Sequence, residues 1–241
     1  MDGRIHSIET AGMVDGPGIR YVIFTQGCLL RCQFCHNPDT WDRKTGEMRS
    51  VASLIEDIKK YIPYMKRSGG GVTVSGGEPL LQTEFLLELF KECKKLGIHT
   101  TIDSSGGCYS QGTGFQKTFK ELLKYTDLVL VDLKQMDDAK HRVLTGVSNK
   151  HIFQFAKQLS EENVPVWIRH VLVPGRYEEK DLTDLAAFIE TLTNVEKVEI
   201  LPYHKMGVYK WEELGLDYPL EGVNTPSEEE VNRAKELLNI N

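Results

Sequence analysis

The sequence lacks any hydrophobic run long enough to cross a membrane. Its apolar stretches fall well short of the ~20 residues that a spanning helix needs, and its N-terminus shows no signal-peptide pattern. An excess of basic residues is also missing, since 35 acidic and 29 basic side chains give a formal net charge of −6. We therefore expect neither a membrane nor a nucleic acid as a partner.

Cysteine is scarce and unevenly distributed. There are only five cysteines in 241 residues, and three of them fall within eight positions, so a disulfide framework is not expected. This pattern indicates a reducing compartment, and we expect the protein to be cytoplasmic. Cys93 lies on the apolar stripe of a predicted helix and Cys108 lies in a glycine-rich loop, so neither is assigned to a metal.

The three clustered cysteines are Cys28, Cys32 and Cys35, with the spacing C-x3-C-x2-C. Thiolates are soft ligands that suit an iron–sulfur cluster or zinc. A structural zinc site needs a fourth ligand, but no second pair of ligands is present, and His36 follows Cys35 directly, unlike the usual zinc knuckle. The pattern favours a [4Fe–4S] cluster held by three cysteines, with one iron open to another ligand.

The motif also carries an aromatic residue, Phe34, directly before the third cysteine. In this it resembles the signature of the radical S-adenosylmethionine (SAM) enzymes. The resemblance implies that SAM binds the open iron and that an electron from the cluster cleaves SAM to a 5′-deoxyadenosyl radical. Phe34, Cys35 and His36 would then lie beside SAM.

Strand-like and helix-like segments alternate along the chain. Six strands are predicted, at 20–25, 72–75, 99–103, 127–132, 166–173 and 198–202, each followed by a helical pattern. No strand is predicted in residues 1–19, which lead in with a turn-rich run at 15–20, or in the polar connection that follows Pro38 up to Ser50, a predicted helix cap. Six such units favour a partial (β/α)6 TIM-type barrel, with parallel strands and outer helices, in one domain covering residues 1–241. The radical SAM resemblance implies the same fold.

The unusual motifs all follow predicted strands, where barrels of this type gather their chemistry. Besides the cysteine loop, the motifs are Gly76-Gly77-Glu78-Pro79, Asp103-Ser104, Asp132-Leu133-Lys134, Arg169 within a strand, and Tyr203-His204. One composite pocket is therefore expected, whatever the family.

The resemblance implies a role for each of these motifs. Backbone groups around Gly76, Gly77 and Glu78 would bind the SAM amino group, because glycine lets the main chain approach a ligand closely. Lys134, in the Asp132-Leu133-Lys134 segment, would bind the methionyl carboxylate. His204 would border the ribose or adenine, and Arg169 would face the same pocket.

A monovalent cation beside SAM is also implied by the resemblance. Its ligands would be Asp103, Ser104 and Asp132. Related enzymes often carry Thr or Asn after the strand-three aspartate, whereas this chain carries Ser104 and Ser105 there.

The chain resembles, along nearly its whole length, the activases of glycyl-radical enzymes. The implied substrate is a glycine of pyruvate formate-lyase, whose loop Asp15 and His36 would hold, and the implied electron donor is a flavodoxin or ferredoxin. No side chain is assigned as an acid–base catalyst. The alternatives left open are a radical SAM enzyme acting on a small molecule, a non-catalytic iron–sulfur electron carrier and a zinc-stabilised module.

Overall fold

The computed structural model describes residues 1–240, which form a single eight-stranded sheet with helices packed on it. The strands are β1 (Asp2–Gly12), β2 (Arg20–Thr25), β3 (Glu47–Ser50), β4 (Gly71–Gly76), β5 (His99–Ser104), β6 (Leu128–Asp132), β7 (Val166–Leu172) and β8 (Val195–Pro202). Their order across the sheet is β3-β1-β2-β4-β5-β6-β7-β8.

Six neighbouring strands, β2 and β4 to β8, are parallel. They are the six strands that the sequence predicts, and the partial TIM-type barrel is confirmed. Because the strands are parallel, the loops that follow them all leave the same edge of the sheet. The cysteine loop after β2 is thereby brought to the same edge as the loops after β4, β5, β6 and β8.

The N-terminal part of the sheet differs from the prediction. The sequence predicts no strand in residues 2–12 or 47–50, but these residues form the antiparallel strands β1 and β3. β1 pairs with β2, and β3 covers the outer edge of β1. These two strands extend the parallel sheet beyond β2, the strand that leads into the cysteine loop. β1 also contacts the start of that loop, where Gln26 donates its backbone N–H to the Arg4 carbonyl at 2.9 Å.

Nine helices accompany the strands within the described residues. They are α1 (Val51–Lys59), α2 (Ile62–Ser68), α3 (Thr83–Lys95), α4 (Thr113–Leu123), α5 (Asp138–Thr145), α6 (Lys150–Glu161), α7 (Glu179–Glu190), α8 (Val208–Glu213) and α9 (Glu228–Leu237). Pro63 divides the first predicted helix into α1 and α2, as expected from its missing N–H. The capping box at Ser227 and Glu230 begins α9 as predicted.

The main hydrophobic core lies between the sheet and the helices α1, α3, α4 and α6. Amphipathic helices bury their apolar stripes there, as the five buried residues of α3 (Phe85, Leu86, Leu89, Phe90 and Cys93) illustrate. A second, smaller apolar cluster surrounds the cysteine loop. Across residues 1–240, no helix combines the length and the hydrophobicity that a membrane crossing requires.

Candidate active site

The cysteine loop is held from two sides. Its backbone N–H groups at Arg31 and Gln33 donate to the carbonyls of Thr145 and Leu144 at the end of α5, at 2.7 and 2.9 Å. From the other side, the Trp211 indole N–H in α8 donates to the Cys35 carbonyl at 2.9 Å. Helices α5 and α8, both absent from the sequence prediction, therefore fix the loop that carries the three cysteines.

The three cysteines lie together in an apolar part of the structure. Cys28, Cys32 and Cys35 pack with Leu30, Phe34 and Tyr203 in the second apolar cluster. Burial raises the pKa of Cys28 and Cys32 to about 12 and that of Cys35 to about 11. Thiols in this setting stay protonated at neutral pH until a metal displaces the proton.

This donor set fits an iron–sulfur cluster better than a single ion. Among residues 1–240, no three His, Cys, Asp or Glu side chains converge on a point that one metal ion could occupy. A structural zinc site requires such convergence. The thiolates of a cubane cluster bind separate irons, so three cysteines of one loop suit such a cluster without converging on a single point.

The glycine turn after β4 lies directly against the cysteine loop. Gly76 has a φ of +115°, and a side chain there would strain the backbone. A Cβ on Gly77 would lie only 2.2 Å from the Gly27 carbonyl oxygen. The Glu78 N–H then donates to the same Gly27 carbonyl at 2.8 Å. The two glycines therefore let this turn pack on the first residues of the cysteine loop.

Glu78 is fully buried, and its carboxylate binds the loop after β5. One oxygen accepts from the Ser104 hydroxyl at 2.6 Å and from Leu80 N–H at 3.2 Å. The other accepts from the hydroxyl and the N–H of Ser105, at 2.7 and 3.2 Å. Burial raises the pKa of Glu78, and the serine hydrogen bonds act against that rise. Glu78 thus connects the glycine turn to the loop after β5.

A network of alternating charges lies at the ends of β5, β6 and β7. The Arg169 guanidinium bridges the carboxylates of Asp103 and Asp132, with its Nε 3.2 Å from Asp132. The Lys134 ammonium lies 3.0 Å from the other oxygen of Asp132. Although burial opposes ionisation, Lys134 and Arg169 lower the pKa of Asp132 to about 2. Ser75, at the end of β4, donates to Asp103 at 2.7 Å.

Lys134 also contacts the cysteine loop. Its Nζ lies 5.2 Å from the centroid of the Phe34 ring, within the range of a cation–π interaction. The lysine is almost completely buried. Burial disfavours its charge, but the Asp132 carboxylate raises the pKa of Lys134, so it stays positively charged. A buried cation beside the three thiols is suited to an anionic group on a bound molecule.

His36 and His204 stack on each other across the cysteine loop and the end of β8. Their ring centroids are 4.1 Å apart, and the His36 Nε2 lies 3.3 Å from the His204 carbonyl. Burial, followed by the neighbouring His204, lowers the pKa of His36. The two stacked imidazole rings present a flat face beside the cysteine loop.

Asp15 lies in the loop between β1 and β2 and approaches the charge network. Burial and then the Asp103 charge raise its pKa to about 6, while Arg169 acts in the opposite direction. The structure therefore brings every residue that the sequence singles out into one region, through the loops at one sheet edge and this β1–β2 loop. Sequence reasoning missed Trp211, and it gave no role to Ser75 and no contact with Glu78 to Ser105; all three hold the predicted residues in place.

A family model described as the Radical SAM superfamily matches residues 22–189. The chain belongs to the radical SAM superfamily. The pyruvate formate-lyase-activating enzyme of Listeria monocytogenes is 54% identical over 237 residues, which are 98% of this chain and 96% of the relative. The enzyme of the same name from Staphylococcus epidermidis is 54% identical over 243 residues, covering 100% of this chain and 97% of the relative.

Within the radical SAM superfamily, the chain therefore belongs to the family of pyruvate formate-lyase-activating enzymes. A crystal structure of a domain of the Bacteroides vulgatus pyruvate-formate lyase-activating enzyme has the same fold, with a TM-score of 0.58 and 31% identity. The match covers 70% of this chain and 93% of that one. Membership of the radical SAM superfamily implies a [4Fe–4S] cluster and SAM, and it disfavours a zinc module or a simple electron carrier.

Proposed function

We propose that this chain activates pyruvate formate-lyase by removing a hydrogen atom from a glycine of that enzyme. The observation that carries the proposal is that the three thiols, the glycine turn and the buried Lys134 share one sheet edge. They do so in a chain 54% identical to activating enzymes over nearly its full length. When bound, the cluster supplies the electron that cleaves SAM to the hydrogen-abstracting deoxyadenosyl radical.

We propose that the residues of this site act by binding and orientation. Cys28, Cys32 and Cys35 hold the cluster, with Phe34 packing beside it. Gly76 and Gly77 leave the backbone open to the SAM amino group, and the positive charge of Lys134 attracts the methionyl carboxylate. Because both oxygens of the Glu78 carboxylate accept hydrogen bonds from the chain itself, Glu78 acts by holding the turn in place.

The remaining residues face the nucleoside and the protein substrate in this proposal. His204, stacked on His36, provides the surface for the ribose or adenine. Arg169 bridges Asp103 and Asp132, and together with Lys134 it balances their two buried charges. Asp15 and His36 hold the glycine loop of the lyase, which must enter in an extended form. Leu133 is buried and anchors the segment between Asp132 and Lys134.

A monovalent cation beside Asp103, Ser104 and Asp132 is the finer part of this proposal. The Ser104 hydroxyl is directed to Glu78, and Arg169 already bridges the two aspartates. Binding of a cation therefore requires Arg169 or Lys134 to move away from Asp132 when SAM enters. Potassium-dependent SAM affinity would support this part of the proposal, and affinity independent of alkali ions would count against it.

We also propose that residues 1–241 act as one domain in the cytoplasm and receive electrons from a flavodoxin or ferredoxin. One continuous sheet supports the single domain, and five free cysteines suit a reducing compartment.

The test is anaerobic reconstitution with iron and sulfide, followed by dithionite, SAM and pyruvate formate-lyase. We expect methionine release and a glycyl-radical EPR signal on the lyase. SAM cleavage without that signal would favour a small-molecule substrate. A cluster that is reduced but leaves SAM intact would favour an electron carrier, against this proposal.

A further inference from the structure

The backbone that carries Lys134 lies beyond the end of β6 and is held by hydrogen bonds from β7 and the loop after it. The Leu133 N–H donates to the Arg169 carbonyl at 3.0 Å. The Leu133 carbonyl lies 2.8 Å from the His170 Nδ1. The Lys134 carbonyl accepts from the Tyr177 hydroxyl at 2.7 Å. Two side chains therefore hold two successive carbonyls, at the point where the regular β6 pairing ends.

The side chains of His170 and Tyr177 also contact each other. The His170 and Tyr177 rings meet edge to face, with their centroids 4.5 Å apart, and His170 is 2% exposed. A carbonyl can only accept a hydrogen bond, so the His170 Nδ1 carries the proton that is shared with Leu133. A leucine or phenylalanine could fill the same space, but neither could donate to these carbonyls.

The position of the Lys134 ammonium depends on both ends of its side chain. At the far end, Nζ is held by the Asp132 carboxylate and by the face of the Phe34 ring. At the near end, the Cα position is set by the carbonyls that His170 and Tyr177 bind. A lysine side chain has four rotatable bonds, so a mobile backbone would spread Nζ over many positions.

We propose that His170 and Tyr177 are positioning residues for Lys134 and that they raise SAM affinity by fixing the backbone from which its ammonium reaches the SAM carboxylate. This inference rests on the proposed role of Lys134. Neither residue touches SAM in this account, and the sequence alone gives neither of them a role.

The experiment is a double-mutant cycle on the anaerobically reconstituted protein, with the SAM dissociation constant as the readout. We expect Lys134→Ala to weaken SAM binding about tenfold or more, as the loss of a charge-assisted contact does. Tyr177→Phe removes one hydroxyl without changing the packing, and we expect a loss of roughly three- to tenfold. In the Lys134→Ala background, the same change should alter the affinity by less than about twofold.

A second series tests His170 separately. His170→Ala should weaken SAM binding by a similar factor, and His170→Asn should restore most of it, because the asparagine amide can donate from near the Nδ1 position. Tyr109→Phe is the matched control. It removes another buried hydroxyl, which donates to Gln158 in the helical layer, and it should lower thermal stability without changing SAM affinity.

Unchanged affinity in Tyr177→Phe would overturn the inference, as would an equal loss in both backgrounds, because a general structural effect does not depend on Lys134. If His170→Asn binds SAM as weakly as His170→Ala, hydrogen-bond donation by His170 is not what matters and the inference fails for that residue. Failure of the proposed function has a different signature: the unaltered protein does not bind SAM, or Lys134→Ala binds it normally. In either case this inference fails with it.

Discussion

The thiol of Cys32 is the most deeply buried of the three in the cysteine loop. Because each ligand of a three-cysteine cluster binds its own iron, we expect Cys32→Ala to abolish cluster assembly and SAM cleavage together. Cluster assembly is measured by the iron content and the visible absorption of the reconstituted protein, and SAM cleavage by methionine release. Cys93→Ala is the matched control, since Cys93 is also buried but lies in α3. It should lower stability by about 1 kcal/mol and leave the iron content unchanged. Full iron loading of Cys32→Ala would contradict the assignment.

The ionisation of Asp15 is expected to make the free energy of unfolding depend on pH. Its folded-state pKa of about 6 lies above the value of 3.8 for a free aspartate, so ionised Asp15 weakens the fold. Its contribution to stability therefore falls as pH rises from about 4 to about 6 and is constant above that. We expect Asp15→Asn to have little effect on the free energy of unfolding near pH 4 and to stabilise the protein increasingly up to pH 6. Urea titrations between pH 4 and 8 measure this difference, and a pH-independent difference would contradict the assigned pKa.

At the scale of elements, the short helix α8 fixes the cysteine loop. Besides the indole hydrogen bond to Cys35, the Lys210 ammonium in α8 lies 2.8 Å from the Asn37 side chain and 2.9 Å from Asp39. The Trp211 ring meets the Trp41 ring edge to face, with their centroids 5.0 Å apart. A helix of only six residues is not stable by itself, so these contacts stabilise α8 as well as the cysteine loop.

We expect Trp211→Phe to make the cluster more labile. The change keeps most of the aromatic packing but removes the donor to the Cys35 carbonyl, so the loop gains freedom next to a cluster ligand. The rate of iron release to a chelator should rise severalfold, while the secondary structure is unchanged. Trp167→Phe is the control, because Trp167 lies on β7 beneath Lys197 and away from the loop. Equal release rates for the two variants would mean that α8 does not protect the cluster.

The elements that the sequence predicts are those with a local signal. Six strands alternate with amphipathic helices, and Ser227 and Glu230 identify the start of α9. β1 and β3 were missed because their residues alternate weakly and their pairing is long-range, as the pair Asp2 and Ser50 shows. α8 was missed because six residues carry too little periodicity, and it is stabilised by contact with a loop 176 residues earlier in the chain.

At the scale of the whole molecule, the sequence places the site at one edge but does not give its internal contacts. Parallel strands bring their carboxyl ends together, so the convergence of Cys28, Gly77 and Lys134 follows from topology. That Glu78 is directed to two serines, and that Arg169 bridges Asp103 and Asp132, depends on side-chain orientations across three strands. No spacing in the sequence contains that information, and only the assembled sheet defines it.

Arg20 closes the opposite end of the parallel strands. It is completely buried at the start of β2, where it donates to the Thr73 and Thr101 hydroxyls at 2.9 and 2.7 Å and to the Val72 carbonyl at 2.6 Å. Thr73 in turn donates to the Asp15 carbonyl at 2.7 Å. Burial lowers the pKa of Arg20 to about 10, so it remains charged at neutral pH. One guanidinium thus joins β2, β4 and β5 to the loop that carries Asp15.

We expect Arg20→Leu to lower the free energy of unfolding by about 3 kcal/mol or more, because several buried hydrogen-bonding groups lose their partner at once. Arg142→Leu is the control, since Arg142 is exposed and pairs with Asp138 one turn earlier on α5, a contact worth at most about 0.5 kcal/mol. Urea unfolding of both variants gives the comparison. Equal stability of the two variants would show that the three strands hold together without the guanidinium.

If Arg20 holds the Asp15 loop as well as the strands, Arg20→Leu should also weaken binding of a glycine-loop peptide of the lyase more than it weakens SAM binding.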